Sequence, residues 1–238
     1  MRVKIGCCGF PVNRREYFRH FQVVEIQQTF YQPPKAETAR RWREEAPPAA
    51  EFTLKAWQLI THESTSPTYR RLKRPLAEAD RPQVGAFRPT PPVLEAWEVT
   101  REVAQALGAR VVVFQCPASF TPTPEHVDNL RHFFGKIRRD GLTLAWEPRG
   151  AWPREEVLNL CAELNLLPVV DPLATPPYPG PVAYFRLHGR GGYRYRYTDP
   201  DLAELANLVL DREEAYVMFN NLSMWEDARR FARLVLDG

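Results

Sequence analysis

Eight short apolar runs, nearly all closing on a polar or charged residue, constrain this chain more than any other feature. They read VKIGCCG, QVVEIQQTFY, EFTLKAW, VVVFQC, LTLAWEP, LLPVVD, AYFRLHG and AYVMFNN. At or near their C-terminal ends stand Cys8, Glu25, Gln27, Lys55, Gln115, Glu147, Asp171, Arg186, His188, Asn220 and Asn221. Ordinary buried strands have no reason to finish this way, because an unpaired polar group in a core is costly. The repetition makes sense in a closed parallel barrel whose C-terminal rim builds a site. Helical patterns alternate with the runs, which argues for βαβ units and a parallel sheet. The expected class is therefore α/β, a TIM (β/α)8-type barrel.

A length of 238 residues suits one barrel-sized domain over 1–238 better than two small ones. With 44% hydrophobic and 26% charged residues the composition is that of a globular chain, not a disordered one. No apolar stretch approaches the ~20 residues that cross a bilayer, so no membrane partner is expected. MRVKIGCCGF enters a strand at once and lacks a signal-peptide core, so a cytoplasmic location is expected. Cys7, Cys8, Cys116 and Cys161 follow no disulfide or zinc spacing. The net charge of +3 is compatible with an anionic ligand and falls far short of a nucleic-acid signature by itself.

Two units depart from regular alternation. Residues 58–110 form an excursion between the third and fourth strands, longer than a normal βα connection. It ends in PVLEAWEVTREVAQALG, an amphipathic helix closed by Gly108. After the sixth strand, PLATPPYPGP holds too many prolines for a helix, so the sixth unit is expected to lack one. Further helices are expected at 36–46, at PEHVDNLRHFFGKIRR, PREEVLNLCAELN, DPDLAELANLVL and SMWEDARRFARLVL. Asp199-Pro200 reads as an N-cap followed by proline at the first helical position. Strand parity assigns Val23, Glu25, Gln27 and Thr29 to one face, and likewise Thr53 with Lys55, Ala145 with Glu147, and Tyr184 with Arg186 and His188. In each case the charged set is expected to face the barrel axis.

These runs resemble the YecE-like family, domain of unknown function 72, over essentially the whole chain. GCCGF resembles its opening segment, and EIQQTFY its second strand through Glu25, Thr29, Phe30 and Tyr31. FTLKAWQLITH supplies Lys55, Thr61 and His62, and FQCPASF supplies Gln115, Pro117, Ser119 and Phe120. WEPRGAW, YFRLHGR and MFNN add Glu147, Arg149, Trp152, Arg186, His188, Gly189, Arg190, Asn220 and Asn221. The resemblance implies a TIM-type barrel and brings no activity with it.

Glu25, Glu147 and Asp171 are carboxylates converging with the cations Lys55 and Arg186, a set suited to general acid–base work. A salt-bridge network closing the top of the barrel would use the same residues. The favoured reading is an enzyme acting on a small anionic ligand, phosphorylated or sugar-like, whose class (hydrolase, lyase or isomerase) stays open. Glu25 and Glu147 would be acid and base, with Asp171 beside them and His188 assisting proton transfer. Lys55, Arg149, Arg186 and Arg190 would hold anionic groups; Tyr31, Gln115, Asn220 and Asn221 would complete the ligand contacts. No dinucleotide fingerprint or P-loop is present, so no cofactor is expected. The oxygen-rich set leaves Mg²⁺ or Mn²⁺ as an alternative to metal-free chemistry.

HGRGGYRYRYTD follows the seventh strand, where barrels often bind phosphate. Its Arg190, Arg194 and Arg196 suit an anion clamp, and Tyr193, Tyr195 and Tyr197 suit stacking on a base or sugar. This stretch carries the alternative partner, nucleic acid, bound or cleaved; a barrel that binds a metabolite without turnover is the third reading. Cys8 and Cys116 also end strands, where a nucleophile is conceivable but a small buried cysteine is far commoner.

Overall fold

A computed structural model describes residues 2–236; the remaining three positions of the expected 1–238 domain lie outside the described residues. The strands are β1 Arg2–Cys8, β2 Val23–Ile26, β3 Glu51–Lys55, β4 Ala109–Gln115, β5 Thr143–Glu147, β6 Leu167–Val170, β7 Val182–Leu187 and β8 Glu214–Phe219. They close in sequence order into a parallel barrel, the TIM-type fold expected. The intervening helices are α1 Arg14–Tyr17, α2 Gln28–Tyr31, α3 Ala36–Glu44, α4 Gln58–Thr61 and α5 Pro91–Leu107. They continue with α6 Pro124–Lys136, α7 Arg154–Glu163, α8 Asp199–Leu210 and α9 Met224–Leu236. No helix joins β6 to β7, where the prolines stand.

The chain groups into two compact units. One holds the residues up to Glu25, Ala46–Glu51 and everything from Leu167 onward; the other holds Ile26–Glu45 and Phe52–Leu166. In the first unit, β1 pairs with β8 and β7 with β8 through six register positions each. Gly6 lies so close to Val23 that a Cβ would come within 2.2 Å of the Val23 carbonyl oxygen. The buried Tyr17 hydroxyl fills the space beside it, accepting from the Cys7 N–H at 2.8 Å and donating to the Val23 carbonyl at 2.7 Å. One phenol thus satisfies a backbone group on each of two neighbouring strands.

In the second unit, the aromatic core of Trp97, Phe114, Phe133 and Phe134 closes around Phe87. Phe87 belongs to the long excursion, where Gly85, Ala86 and Phe87 all adopt positive φ. Their N–H groups donate to the carbonyls of Leu59, Thr61 and Ile60, so this strained turn is docked against α4. The excursion is therefore anchored at its middle by a buried ring. Gly108 ends α5 in the left-handed conformation expected of it, φ 64°.

Three sequence expectations change. The second run leaves the strand at Ile26: Gln27 has helical angles and Thr29 lies in α2, so strand parity ends at Glu25. Thr29 instead donates from Oγ1 to the Ile26 and Lys55 carbonyls. Thr198, not Asp199, caps α8, because its hydroxyl and the Asp201 carboxylate form a reciprocal capping box with proline just inside. Helix α6 stops at Lys136, short of Arg139, whose guanidinium turns back onto the Leu164 and Asn165 carbonyls.

Tyr17→Phe removes the hydroxyl while keeping the ring, leaving two buried backbone groups without a partner. It should destabilise the protein by about 2 kcal/mol, read as a lowered urea midpoint with unchanged slope.

Candidate active site

In the second unit the C-terminal ends of β3, β4 and β5 gather a polar group from adjacent strands. Gln115 lies beside Glu147 in the β4–β5 register, and the Lys55 ammonium donates to Gln115 Oε1 at 3.1 Å. Lys55 also sits 3.8 Å above the Phe30 ring centre. The Lys55–Gln115 contact puts these two side chains on one face of the sheet. Past the end of β5, Arg149 donates to Glu147 Oε1 through Nε at 3.0 Å and Nη2 at 2.8 Å. The turn carrying them is held because Gly150 packs on the Phe120 carbonyl, which also accepts from Trp152 Nε1. Tyr31 is half-buried under the Arg71 guanidinium, 3.6 Å from its ring centre.

His62, at the end of α4, belongs to the same group. Its Nδ1 lies 2.8 Å from the Thr61 hydroxyl, its ring meets the Phe30 ring edge-on, and its carbonyl accepts from the Tyr69 hydroxyl. Burial, and then the positive charges of Lys55 and Arg149, push its pKa down to about 3, so the imidazole is neutral at physiological pH. Sequence reasoning named His62 without giving it a role. Its signal was the Thr-His pair after the Lys55 strand; what was missing was the fold that brings Lys55 and Arg149 to bear on it.

In the first unit, Glu25 and Arg186 form a fully buried pair, with both side chains 0% exposed. Arg186 donates from Nη2 to Glu25 Oε1 at 2.8 Å and from Nε to Oε2 at 3.2 Å; the Tyr184 hydroxyl adds a bond to Oε2 at 2.8 Å. Tyr184 and Arg186 share the inward face that alternation assigned them. Cys8 lies against the same guanidinium, and its thiol is pushed up chiefly by burial and then by the Glu25 charge. Burial also raises the Cys116 thiol, which accepts from Trp146 Nε1. Neither cysteine is poised as a thiolate.

Asp171, just past β6, accepts the His188 backbone N–H at 2.8 Å and the Leu173 N–H at 3.1 Å. His188 follows β7, and its Nδ1 lies 3.1 Å from Asn220 Nδ2 past the end of β8. Asn221 is buried, donating to Asp227 and to the Tyr195 carbonyl. The glycine-rich stretch is braced from within. Arg190 pairs with Asp201 at 2.9 Å and with Glu204, the Tyr195 hydroxyl donates to Asp201, and the Tyr197 hydroxyl accepts the Gly189 N–H. Three of its expected ligand groups are thus engaged with the protein, while Tyr193, Arg194 and Arg196 stand exposed. Among the described residues no three His, Cys, Asp or Glu side chains come together as metal ligands, and no helix is long and apolar enough to cross a membrane.

The profile of the family described as protein of unknown function DUF72 matches residues 13–237. The chain belongs to the DUF72 family. Its fold is shared with a DUF72 family protein from Enterococcus faecalis, at 23% identity and a TM-score of 0.73, covering 100% of this chain and 98% of that one. A D-tagatose 3-epimerase-like protein is similar at 14% identity and a TM-score of 0.59, with 100% and 97% covered. An AP endonuclease, family 2, from Brucella melitensis is similar at 13% identity and 0.56, with 99% and 98% covered. At these identities the likeness is one of fold. No curated protein matches the DUF72 chain.

Two predictions follow from these environments. Glu25→Gln leaves the buried Arg186 charge uncompensated and should cost about 3–5 kcal/mol in chemical denaturation; adding Arg186→Met should cost less than the two single losses summed. For His62, the folded pKa near 3 lies below an unfolded value of 6.5. The folded state therefore binds fewer protons between those values, and the stability His62 contributes is present above pH 6.5 and lost as pH falls towards 3. His62→Gln should flatten the acid limb of a stability–pH curve over that window, a contribution on the order of 4 kcal/mol in the unsubstituted chain.

Proposed function

We propose that this DUF72 chain is an acid–base enzyme acting on a small anionic ligand, phosphorylated or sugar-like, at the C-terminal ends of β3–β5. The observation that carries the reading is the meeting of Lys55 with Gln115 and of Arg149 with Glu147 at these strand ends, beside the imidazole of His62, which burial first and then the charges of Lys55 and Arg149 keep neutral. Lys55 and Arg149 are cations that suit the anionic part of such a ligand. Arg149, with a side chain 36% exposed, meets the ligand first, and Lys55 lies deeper, its ammonium directed by Gln115 and the Phe30 face. Glu147 then serves as the proton-transferring carboxylate, positioned by Arg149, while neutral His62 supplies a hydrogen-bonding group. The roles narrow accordingly. Glu25 and Arg186 brace the other unit, and His188 with Asp171 and Asn220 remains a separate proton-transfer candidate at the ends of β6–β8.

The second reading, nucleic-acid binding, is favoured by one observation: Tyr193 is 56% exposed and flanked by exposed Arg194 in the loop after β7. Stacking and phosphate contact would use that pair. The fold relatives divide between the readings, one named for a sugar epimerase and one for an endonuclease, and so favour neither.

A thermal-shift and calorimetry screen of sugar phosphates, nucleotides and short oligonucleotides separates them. A small-anion hit should be weakened about tenfold or more by Lys55→Met and lose turnover in Glu147→Gln, with the far-ultraviolet spectrum unchanged. Stabilisation by oligonucleotides alone, fading steeply with salt and lost in Tyr193→Ala, would overturn the enzyme reading in favour of the second. Full turnover by folded Glu147→Gln would remove its assigned role.

A further inference from the structure

At the other end of the strands that carry Glu25 and Arg186, beside the starts of β1 and β2, two adjoining cavities share His20, Phe21, Ala232 and Leu236. The outer one, about 380 Å³, is rimmed by Arg19, Arg229 and Arg233, and no carboxylate among the described residues lines it. The inner one, about 320 Å³, has apolar walls of Val3, Ile5, Phe21 and Val23. Both volumes fall in the range of small-molecule sites, roughly 300–1,000 Å³.

The charges of the two cavities differ in kind. At the inner floor Lys4 bonds Glu51 at 2.7 Å and pairs with Glu214, which also pairs with Arg2, and the Tyr216 hydroxyl donates to Glu51, so two cations meet two carboxylates. At the outer mouth Arg19 is paired with Glu16 at 2.8 Å, while Arg229 and Arg233 are only loosely engaged. Arg19 reaches Glu16 at the surface, Arg229 stands 3.9 Å from Glu226 and leans over the Trp225 ring, and Arg233 has no ion-pair partner among the described residues. Guanidinium groups with spare donors hold carboxylates by paired N–H bonds. An apolar inner wall rewards a hydrocarbon body and not a second charge.

We propose that this face is a binding site for a small amphipathic carboxylate, its head held by Arg229 and Arg233 and its apolar body directed along Phe21 into the inner cavity. The site is separate from the proposed active site and does not rest on it. Octanoate is the probe, with octanol and inorganic phosphate as the uncharged and the purely anionic comparisons, each titrated calorimetrically into the full chain. Octanoate should saturate one site. Arg233→Ala, a change at the mouth, should weaken it at least tenfold, and Ala232→Trp, which fills the junction of the two cavities, should abolish it. Matching unfolding curves for the free variants would show that both remain folded; if Ala232→Trp does not fold, Arg233→Ala decides alone. Absence of saturable octanoate binding, equal affinity for octanol or for phosphate, or unchanged affinity in Arg233→Ala would each overturn the assignment. So would a loss of octanoate binding in Lys55→Met with Arg233→Ala unaffected, which would place the ligand at the ends of β3–β5.

Discussion

The buried pair of Glu25 and Arg186 is the interaction on which the first unit depends. Two charges removed from water are tolerated only when each is met by the other and by further hydrogen bonds. Here the guanidinium contributes two donors and the Tyr184 hydroxyl a third. The requirement reaches outward from the pair. Glu25 must point inward from β2, Tyr184 and Arg186 must share a face of β7, and Cys8 must be small enough to lie against the guanidinium. A register slip of one residue in β7 would turn Arg186 outward and leave Glu25 unmatched, so the pair specifies strand register as well as contributing to stability.

Burial works differently in the second unit. At the ends of β3–β5 Lys55 bonds Gln115 and Arg149 bonds Glu147, and His62 beside them is kept neutral by burial first and then by the charges of Lys55 and Arg149. The helix before His62 is held by a ring far along the chain: Phe87 seats in the aromatic core and holds the turn whose N–H groups bond the carbonyls of α4. His62 ends that same helix. A steric anchor in a long excursion therefore holds the helix that ends at a histidine more than twenty residues before it, the usual relation between a packed scaffold and a site carried on its loops.

The loop after β7 shows how one stretch divides its labour. Seven residues, Arg190 to Arg196, are rich in arginine and tyrosine, but Arg190 and Tyr195 are spent on α8, and Tyr197 just beyond supports Gly189. Only the outward residues remain for a ligand. Composition identified the chemistry available there, and the packing of α8 determined how much of it faces solvent.

The barrel was legible in the chain because its signal is local. Apolar runs of strand length alternate with helical periods, Gly108 closes α5, and prolines deny a helix between β6 and β7. The inward face of β7, from which Tyr184 and Arg186 both reach Glu25, was legible too, since parity needs only an intact strand. It misled where a strand ended early, at Gln27 and Thr29, and the cap of α8 was misplaced by one residue because Thr198 and Asp201 compete with Asp199 through side-chain bonds. The candidate residues at the strand ends could be named from sequence, but their roles could not. Whether a carboxylate is sealed against a guanidinium, as Glu25 is, or sits beside a partly exposed arginine, as Glu147 does, depends on distance and solvent access between segments far apart in the chain. Sequence by itself determined which residues stand at the ends of the strands; only the tertiary structure decided which of them meet, as Arg186 meets Glu25 and Arg149 meets Glu147, because pairing is set by three-dimensional proximity in a medium that screens charge poorly.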